Sequence, residues 1–261
     1  MSDILKTILA AKRDEVNAIK SIYSESALRT AAMTCSRKTV SLRQSILSGS
    51  GIIAEFKRRS PSKGEIFPMA DVSVVTAQYK AGGASGCSVL TDTRFFGGSL
   101  TDFAIARRTV GIPLLRKDFI IDPVQIYMAR IYGADAILLI ASALEKDEIE
   151  SLCGVAKELS LEVLLELHTP EEIEKWTPLA DLTGVNSRNL RNFSTSLDTA
   201  AQFATLLPKD SVKVAESGIH SPQDIAMLRE KGYSGFLIGE AFMSTPQPGE
   251  TLKRFINESK Q

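Results

Sequence analysis

The sequence predicts an α/β protein built as a single (β/α)8 TIM barrel with a helical N-terminal extension. From Gly51 onward, eight short runs rich in Val, Ile and Leu recur about every 20 to 30 residues, each followed by turn residues and a helix-compatible stretch. The runs are continuously apolar, as strands of a parallel sheet are when helices cover both faces. No dinucleotide-binding fingerprint follows the first run, which favours the barrel over a doubly wound open sheet, the alternative for this pattern.

The predicted strands alternate with segments whose helix starts are marked by a capping residue directly before a proline. In chain order the strand runs are GIIAEFK, GASGCSVLTD, IPLLRKDF, ADAILLIAS, LEVLLELH, LTGVNSR, VKVAESG and GFLIGEA. The capping pairs are Asp122 with Pro123, Thr169 with Pro170, and Ser221 with Pro222. We expect Glu172 to complete a capping box with Thr169.

Residues 1–50 precede the first strand and form the predicted helical extension. Their apolar residues fall at helical spacing in a first segment, and a second short helix is expected at about 40–47. The first segment presents Ile4, Leu5, Ile8, Leu9, Val16 and Ile19. We expect such an extension to cover one end of the barrel as a lid. A structural plug or an oligomer contact is the equal alternative. Because no long linker interrupts the chain, we expect one domain over residues 1–261.

The composition argues against several classes of protein. Lys and Arg total 31 and so do Asp and Glu, so we expect no surface for nucleic acid or an anionic membrane. The three cysteines are far apart and outside any CxxC motif, which indicates free thiols in a reducing compartment. Charges near the N-terminus argue against a signal peptide, and the longest apolar run is shorter than the roughly 20 residues of a membrane span. We expect a cytoplasmic protein.

Polar residues come late in five of the eight runs, where a barrel enzyme has its catalytic side chains. Because side chains alternate faces along a strand, the polar residues of each run share a face with an earlier residue of that run, which is Ile53, Leu115, Leu164, Gly184 or Val214. The polar residues are Glu55 and Lys57, Lys117, Glu166, Asn186 and Arg188, and Glu216. We expect them to converge on the barrel mouth and to support proton transfer. The alternative is that they form a structural ion-pair network or point outward.

Two glycine-containing segments predict a phosphate site. They follow the seventh and eighth runs, at 217–219 and 238–242, where barrels of this kind bind phosphate with backbone N–H groups. Gly218 and Gly239 allow close approach of the backbone to an anion. Ser60 and Arg188 are candidate side-chain donors.

The histidines and one pair of phenylalanines are weaker candidates for site residues. The histidines, His168 and His220, lie beside helix starts with no Asp or Ser partner evident, so we expect neither a nucleophilic triad nor a metal site. The aromatic pair Phe95 and Phe96 either stacks on an aromatic substrate or packs under a loop.

Five motifs, IIAEFKRRSPSKG, SVLTDTRFFGGS, PLLRKDFIID, GVNSRNL and VAESGI, occur in the order found in a known family. Together they resemble the indole-3-glycerol phosphate synthases of tryptophan biosynthesis, over nearly the whole chain. The resemblance implies a (β/α)8 barrel that converts 1-(2-carboxyphenylamino)-1-deoxy-D-ribulose 5-phosphate to indole-3-glycerol phosphate, carbon dioxide and water. It also implies that neither a metal nor an organic cofactor is used.

The resemblance assigns roles to residues of this sequence. Lys117 matches the acid that protonates the substrate ketone, Glu166 the base that assists dehydration, and Lys57 the lysine that pairs with the substrate carboxylate and serves as a candidate acid. Residues that match orienting positions are Glu55, Asn186 and Glu216. Positions matching phosphate contacts are Ser60, Arg188, Ser217, Gly218 and Gly239, and Phe119 matches an aromatic wall near the anthranilate ring. Glu240 replaces the serine of some relatives, and its carboxylate must point away from a bound phosphate.

Two rival functions share the predicted phosphate site. A chain resembling the phosphoribosylanthranilate isomerases would have a Cys and an Asp as its acid–base pair, with the Cys at the end of the first strand. This chain has Glu55 and Lys57 there. A non-catalytic phosphosugar-binding barrel would not need the set of acids and bases. We expect a monomer, with a homodimer or association with other tryptophan-pathway enzymes as alternatives.

Overall fold

The structure is a computed structural model that describes residues 2–189 and 193–259. Within them, eight parallel strands form a closed barrel, and each predicted run contains one strand. Numbered in chain order, the barrel strands are β1 (Ile52–Phe56), β4 (Gly86–Leu90), β5 (Leu114–Lys117), β6 (Ala136–Ile140), β7 (Glu162–Leu167), β8 (Leu182–Asn186), β9 (Lys213–Glu216) and β10 (Gly235–Ile238). The predicted barrel is confirmed. Leu190, the last residue of the GVNSRNL motif, lies outside the described residues.

A small hairpin of β2 (Arg59–Ser60) and β3 (Gly64–Glu65) stands in the loop after β1, where the sequence predicted no strand. The helices are α1 (Asp3–Ile22), α2 (Glu25–Met33), α3 (Leu42–Ser48), α4 (Val72–Gly82), α5 (Leu100–Thr109), α6 (Pro123–Ile131), α7 (Lys146–Glu158), α8 (Leu197–Leu206), α9 (Pro222–Glu230), α10 (Glu240–Met243) and α11 (Pro248–Glu258). Short 3-10 helices cover Ala141–Ala143 and Pro170–Lys175. No helix in this part of the chain is long and apolar enough to cross a membrane.

Two of the three predicted helix caps are confirmed. Asp122 and Ser221 accept hydrogen bonds from the first turns of α6 and α9. The capping box predicted for Thr169 is wrong, because Thr169 makes no side-chain capping bond. The Glu172 carboxylate instead accepts the backbone N–H of His168 at 2.7 Å.

The barrel interior is filled by the apolar residues that precede the polar strand ends. Ile53, Leu115, Leu164 and Val214 belong to one buried cluster, as the alternation along each strand predicted. The same cluster contains Leu42 and Ile46 of α3. At the start of β4, a Cβ on Gly86 would lie only 2.6 Å from Leu42 Cδ1. Helix α3 therefore plugs the end of the barrel where the strands begin.

Helix α1 covers the opposite end. Its buried face presents Leu5, Ile8, Leu9 and Val16 at helical spacing. Ile4, Leu5 and Ile8 line a cavity at the mouth, where the strands end. The extension thus supplies both a lid, α1, and a plug, α3, which the sequence had left as alternatives.

A buried lysine fixes α1 on the mouth. The Lys12 side chain is 1% exposed, and its Nζ lies 3.1 Å from Asp92 Oδ2 and 2.9 Å from Asp118 Oδ1, on the loops after β4 and β5. Asp118 also accepts from Arg116 Nη2 at 2.9 Å. Burial raises the pKa of Asp118, but the cations of Arg116 and Lys12 outweigh it and hold that pKa well below its ordinary range.

Replacing Lys12 with methionine is expected to release α1 from the mouth. Removing one partner of a buried ion pair costs about 3–5 kcal/mol, because the remaining charge is left without compensation. Protection of α1 amides from hydrogen exchange should therefore fall at least about a hundredfold. Lys6→Met is the matched control, since Lys6 lies on the same helix and is 62% exposed. Unchanged protection in Lys12→Met would contradict the assigned anchoring role.

The contact between Lys12 and Asp118 also predicts that α1 is held less firmly on the mouth at acid pH. Because the folded-state pKa of Asp118 is depressed, its contribution to docking is complete above the ordinary carboxyl value of about 3.9 and is lost as pH falls below it. Protection of the α1 amides, measured relative to their intrinsic exchange rates at each pH, should therefore fall below about pH 4.

Candidate active site

The polar residues predicted at the strand ends lie together at the mouth of the barrel. The main cavity there is lined by residues of α1, by strand ends and by the loops that follow them. It contains Glu55, Lys57, Ser60, Lys117, Phe119, Glu166, Asn186, Arg188, Glu216 and Ser217. Gly218 and Gly239 line an adjoining cavity that shares several of these residues. All twelve predicted residues are brought together because parallel strands of a barrel end on the same side.

Lys117 ends β5, and its ammonium group lies between two buried carboxylates. Its Nζ is 3.2 Å from Glu166 Oε2 and 3.9 Å from Glu216 Oε2. Burial disfavours the charged ammonium, but the carboxylates of Glu166 and Glu216, with that of Glu55, outweigh it and raise the pKa of Lys117 above its ordinary value. Lys117 therefore carries a proton at neutral pH that it can donate into the cavity.

Glu166 on β7 and Glu216 on β9 interact strongly, and their pKa values are shifted in opposite directions. Burial raises the pKa of Glu166, but the Lys117 ammonium outweighs it and lowers that pKa to about 2. Burial raises the pKa of Glu216 well above its ordinary value, and the neighbouring charge of Glu166 adds to this. At neutral pH Glu166 is a carboxylate, and Glu216 is the more readily protonated member of the pair. Gly184 of β8 makes room for this pair, since a Cβ there would overlap Glu216 Oε1.

Glu55 and Lys57 form a second charged pair at the end of β1. Lys57 Nζ donates to Glu55 Oε1 at 2.8 Å, and the two-residue spacing between them places both side chains on one face. The other Glu55 oxygen accepts from Ser88 of β4 at 3.4 Å, a contact that the sequence did not predict. Gly239 packs against this pair, because a Cβ there would lie 2.7 Å from Glu55 Oε1.

The loops after β8, β9 and β10 supply the groups predicted to bind phosphate. Arg188 directs its guanidinium toward this end, where Nη1 donates to Ser62 Oγ at 3.4 Å. Asn186 stabilises the turn before it by accepting the backbone N–H of Arg188 at 3.0 Å. Ser217 and Gly218 have φ of +62° and +76°, a left-handed backbone that helps to direct N–H groups toward an anion. For Ser217 this backbone is strained.

Glu240 also lies at this end, and its side chain does not point away from the cations. Its Oε2 is 3.3 Å from Arg188 Nη2, and its Oε1 is 3.2 Å from Lys63 Nζ. Burial raises the pKa of Glu240, but Lys63 and Arg188 outweigh it and lower that pKa. An ionised carboxylate thus neutralises the cations that an anionic ligand would need.

Aromatic and aliphatic side chains form the other wall of the main cavity. The rings of Phe96 and Phe119 are tilted against each other, with centroids 5.9 Å apart. Both line the cavity, together with Ile8 of α1. Phe96 thus packs against a neighbouring ring and also faces the cavity, and its stacking on an aromatic substrate stays a prediction.

His168 is a residue of the site for which the sequence predicted no role. Its Nε2 lies 3.2 Å from Glu166 Oε1, and its Nδ1 lies 3.3 Å from Ser142 Oγ. The expectation that it lacks partners was wrong, because these groups come from a neighbouring strand end and from Glu166 itself. Its position two residues after Glu166, and hence on the same face of β7, was the signal available in the sequence.

The arrangement is suited to acid–base chemistry on an elongated anion. A proton donor, Lys117, and a proton acceptor, Glu166, stand between an aromatic wall and a cationic end. Among residues 2–189 and 193–259, no group of three or more His, Cys, Asp and Glu is placed to hold a metal ion.

Solved structures similar to this chain have the same barrel fold. A 3-hexulose-6-phosphate synthase from Salmonella typhimurium matches with a TM-score of 0.63 and 14% identity, over 81% of this chain and 99% of that one. A thiamine phosphate pyrophosphorylase from Pyrococcus furiosus matches with a TM-score of 0.60 and 16% identity, over 84% and 98%. At these identities the likeness concerns the fold alone.

Sequence comparisons identify the family. The family model for indole-3-glycerol phosphate synthase matches residues 5–255. A relative of that name from Bacteroides thetaiotaomicron is 49% identical over 256 residues, which cover 98% of each chain. Another from Koribacter versatilis is 43% identical over 259 residues, which cover 98% of this chain and 100% of the relative. This chain therefore belongs to the indole-3-glycerol phosphate synthase family.

Proposed function

We propose that the mouth of this barrel closes the pyrrole ring of 1-(2-carboxyphenylamino)-1-deoxy-D-ribulose 5-phosphate and releases indole-3-glycerol phosphate, carbon dioxide and water. One observation supports assigning this reaction to the mouth above all others. Lys117 lies inside the cavity, with its Nζ 3.2 Å from Glu166. The anthranilate ring fits the wall of Phe119 and Phe96, and the phosphate fits the opposite, cationic end.

Ring closure requires an electrophilic carbonyl carbon. Lys117 donates its proton to the ketone oxygen, and the ring carbon that bears the carboxylate attacks the carbonyl carbon. Lys57 pairs with that carboxylate and holds it over the reacting bond. Loss of carbon dioxide then returns the bonding electrons to the ring and restores its aromaticity.

Dehydration completes the indole. The hydroxyl formed from the ketone leaves as water with a proton from an acid, for which Lys57 and Lys117 are the candidates, while the Glu166 carboxylate removes a proton from the substrate. Glu216 and Asn186 orient these groups, and Glu55 holds Lys57 at 2.8 Å. The chain supplies the acids and the base from its own side chains.

The phosphate binds among Arg188, Ser60, Ser217 and the backbone N–H groups at Gly218 and Gly239. Glu240 Oε2 lies 3.3 Å from Arg188 Nη2, so the phosphate displaces this carboxylate when it binds. The Glu240 carboxylate and the phosphate are both negative, so they repel each other when both lie close to Arg188. Arg188 is therefore paired with one anion at a time, either the carboxylate or the phosphate. We further propose that the chain works as a single domain and as a monomer in the cytoplasm.

The test is the turnover of purified protein. With the carboxyphenylamino substrate and excess EDTA we expect indole fluorescence to appear over many turnovers. Phosphoribosylanthranilate offered instead should be left unchanged. Absence of indole at micromolar enzyme would overturn the proposed reaction, and turnover of phosphoribosylanthranilate would favour the isomerase.

Lys57→Met tests the second lysine in the same assay. If Lys57 both holds the carboxylate and donates a proton, KM rises and kcat falls by about 10² or more. A change confined to KM would limit Lys57 to binding.

A further inference from the structure

The Glu240 carboxylate joins two cations that come from different loops. Its Oε1 lies 3.2 Å from Lys63 Nζ, in the turn between β2 and β3, and its Oε2 lies 3.3 Å from Arg188 Nη2, after β8. Glu240 also lines the cavity that contains Gly218 and Gly239. An anionic group therefore already lies between two cations at the place proposed for the substrate phosphate.

The hairpin that carries Lys63 is held beside this end of the mouth. At its base, Arg58 forms two hydrogen bonds to the Asp102 carboxylate, from Nη1 at 2.7 Å and from Nη2 at 3.0 Å. At its turn, Ser62 Oγ accepts from Arg188 Nη1 at 3.4 Å. Lys63 follows Ser62 directly, so its ammonium group is presented to the same anion position as the Arg188 guanidinium.

One carboxylate does not balance the charge of these two cations. Burial raises the pKa of Glu240, but Lys63 and Arg188 outweigh it and lower that pKa, so the group carries a single negative charge at neutral pH. A phosphate ester carries about two negative charges, which match both cations. The side chains of Lys63 and Glu240 are 55% and 22% exposed, so both have room to reorient.

We propose that Lys63 is a further phosphate-binding residue and that the Glu240 carboxylate occupies the place of the phosphate until the phosphate binds. The phosphate then lies between Lys63 and Arg188, and the carboxylate turns toward water. Because only molecules in which Glu240 has left can bind the phosphate, Glu240 lowers the apparent affinity of the site. The reduction applies to substrate and product alike, since both carry the phosphate. This inference rests on the phosphate site of the proposed function.

Titration calorimetry with inorganic phosphate tests the role of Glu240 without turnover. Glu240→Gln keeps the shape of the side chain and removes the competing charge, so the Kd for phosphate should fall at least about threefold. Glu65→Gln is the matched control, because Glu65 is an exposed carboxylate on β3 of the same hairpin and should leave Kd unchanged. An unchanged Kd in Glu240→Gln would overturn the proposed competition.

Lys63→Met is tested in the Glu240→Gln background, where Lys63 has no carboxylate of Glu240 to pair with. If Lys63 binds phosphate itself, Kd should rise at least about threefold relative to Glu240→Gln. If Lys63 is only a partner of Glu240, the double variant will match Glu240→Gln, and the assignment of Lys63 is overturned. Lys38→Met in the same background controls for the lost positive charge, because Lys38 is exposed and lies between α2 and α3.

The titrations also separate this inference from the proposed reaction. A wild type that makes no indole, although its variants show both shifts in Kd, would overturn the reaction and leave the inference standing. Indole formation by a protein whose variants show neither shift would overturn the inference alone.

Discussion

Lys117→Met is expected to lower kcat by about 10² to 10⁴, the usual contribution of a positioned general acid. Methionine matches the length of the lysine stem but has no proton to donate to the ketone oxygen. It also removes the countercharge 3.2 Å from Glu166, so the pKa of Glu166 will rise and the base will be partly protonated. Steady-state kcat and KM from indole fluorescence measure the loss, together with carbon dioxide release.

Lys213→Met is the matched control for this variant. Lys213 is also a buried lysine at a strand end, but it begins β9 at the opposite end of the barrel and donates to Ala204 O at 3.0 Å. Its replacement should leave kcat unchanged. If Lys117→Met retained more than a tenth of wild-type turnover, Lys117 would not be the acid for ring closure.

Glu166→Gln is expected to lower indole formation by a similar factor, about 10² to 10⁴, for a different reason. Glutamine has nearly the same shape but cannot remove a proton during dehydration. The lost negative charge lowers the pKa of Glu216, whose Oε2 lies 3.9 Å from Lys117 Nζ and remains there as its partner. The acid for ring closure therefore remains in place.

The two variants differ in which product they still release. Because Glu166 acts after decarboxylation, Glu166→Gln should release about one equivalent of carbon dioxide rapidly while indole fluorescence lags behind. Lys117→Met should release neither. Glu162→Gln is the control on the same strand, since Glu162 begins β7 and accepts the Arg43 N–H at 2.8 Å at the plugged end. Equal loss of both products in Glu166→Gln would place Glu166 before decarboxylation.

Much of the barrel could be predicted from local patterns. Each apolar run became a strand because residues buried on both faces are apolar throughout, as in AILLI of β6. The positions of Glu55, Lys117, Glu166 and Glu216 followed from alternation along the strand and from the shared direction of parallel strands. Alternation along a strand and the direction of a strand are properties of short segments. They can therefore be predicted without knowing which strands are neighbours.

Contacts between segments could not be predicted in this way. Helix α2 lacks the strong apolar stripe that marked α1, since Ala32 is its buried residue. The Glu172 carboxylate was expected to cap Thr169 but bonds instead to His168 and to Ser142 of the preceding loop. The orientation of Glu240 could not be predicted, and in the structure two cations, Lys63 and Arg188, attract it. For Glu172 and for Glu240, a partner distant in sequence decided the outcome.

The sequence by itself determined which side chains reach the mouth of the barrel, because strand alternation and strand direction are set within a few residues. Only the tertiary structure decided which of these charges meet. Lys117 pairs with Glu166 across 49 positions, and Lys12 reaches Asp118 to hold the lid. Pairing sets the pKa values, since the Coulomb energy between buried charges depends on separations of a few ångströms that no local pattern encodes. For that reason the convergence of these residues was predictable from local patterns, but the pairing that shifts their pKa values was not.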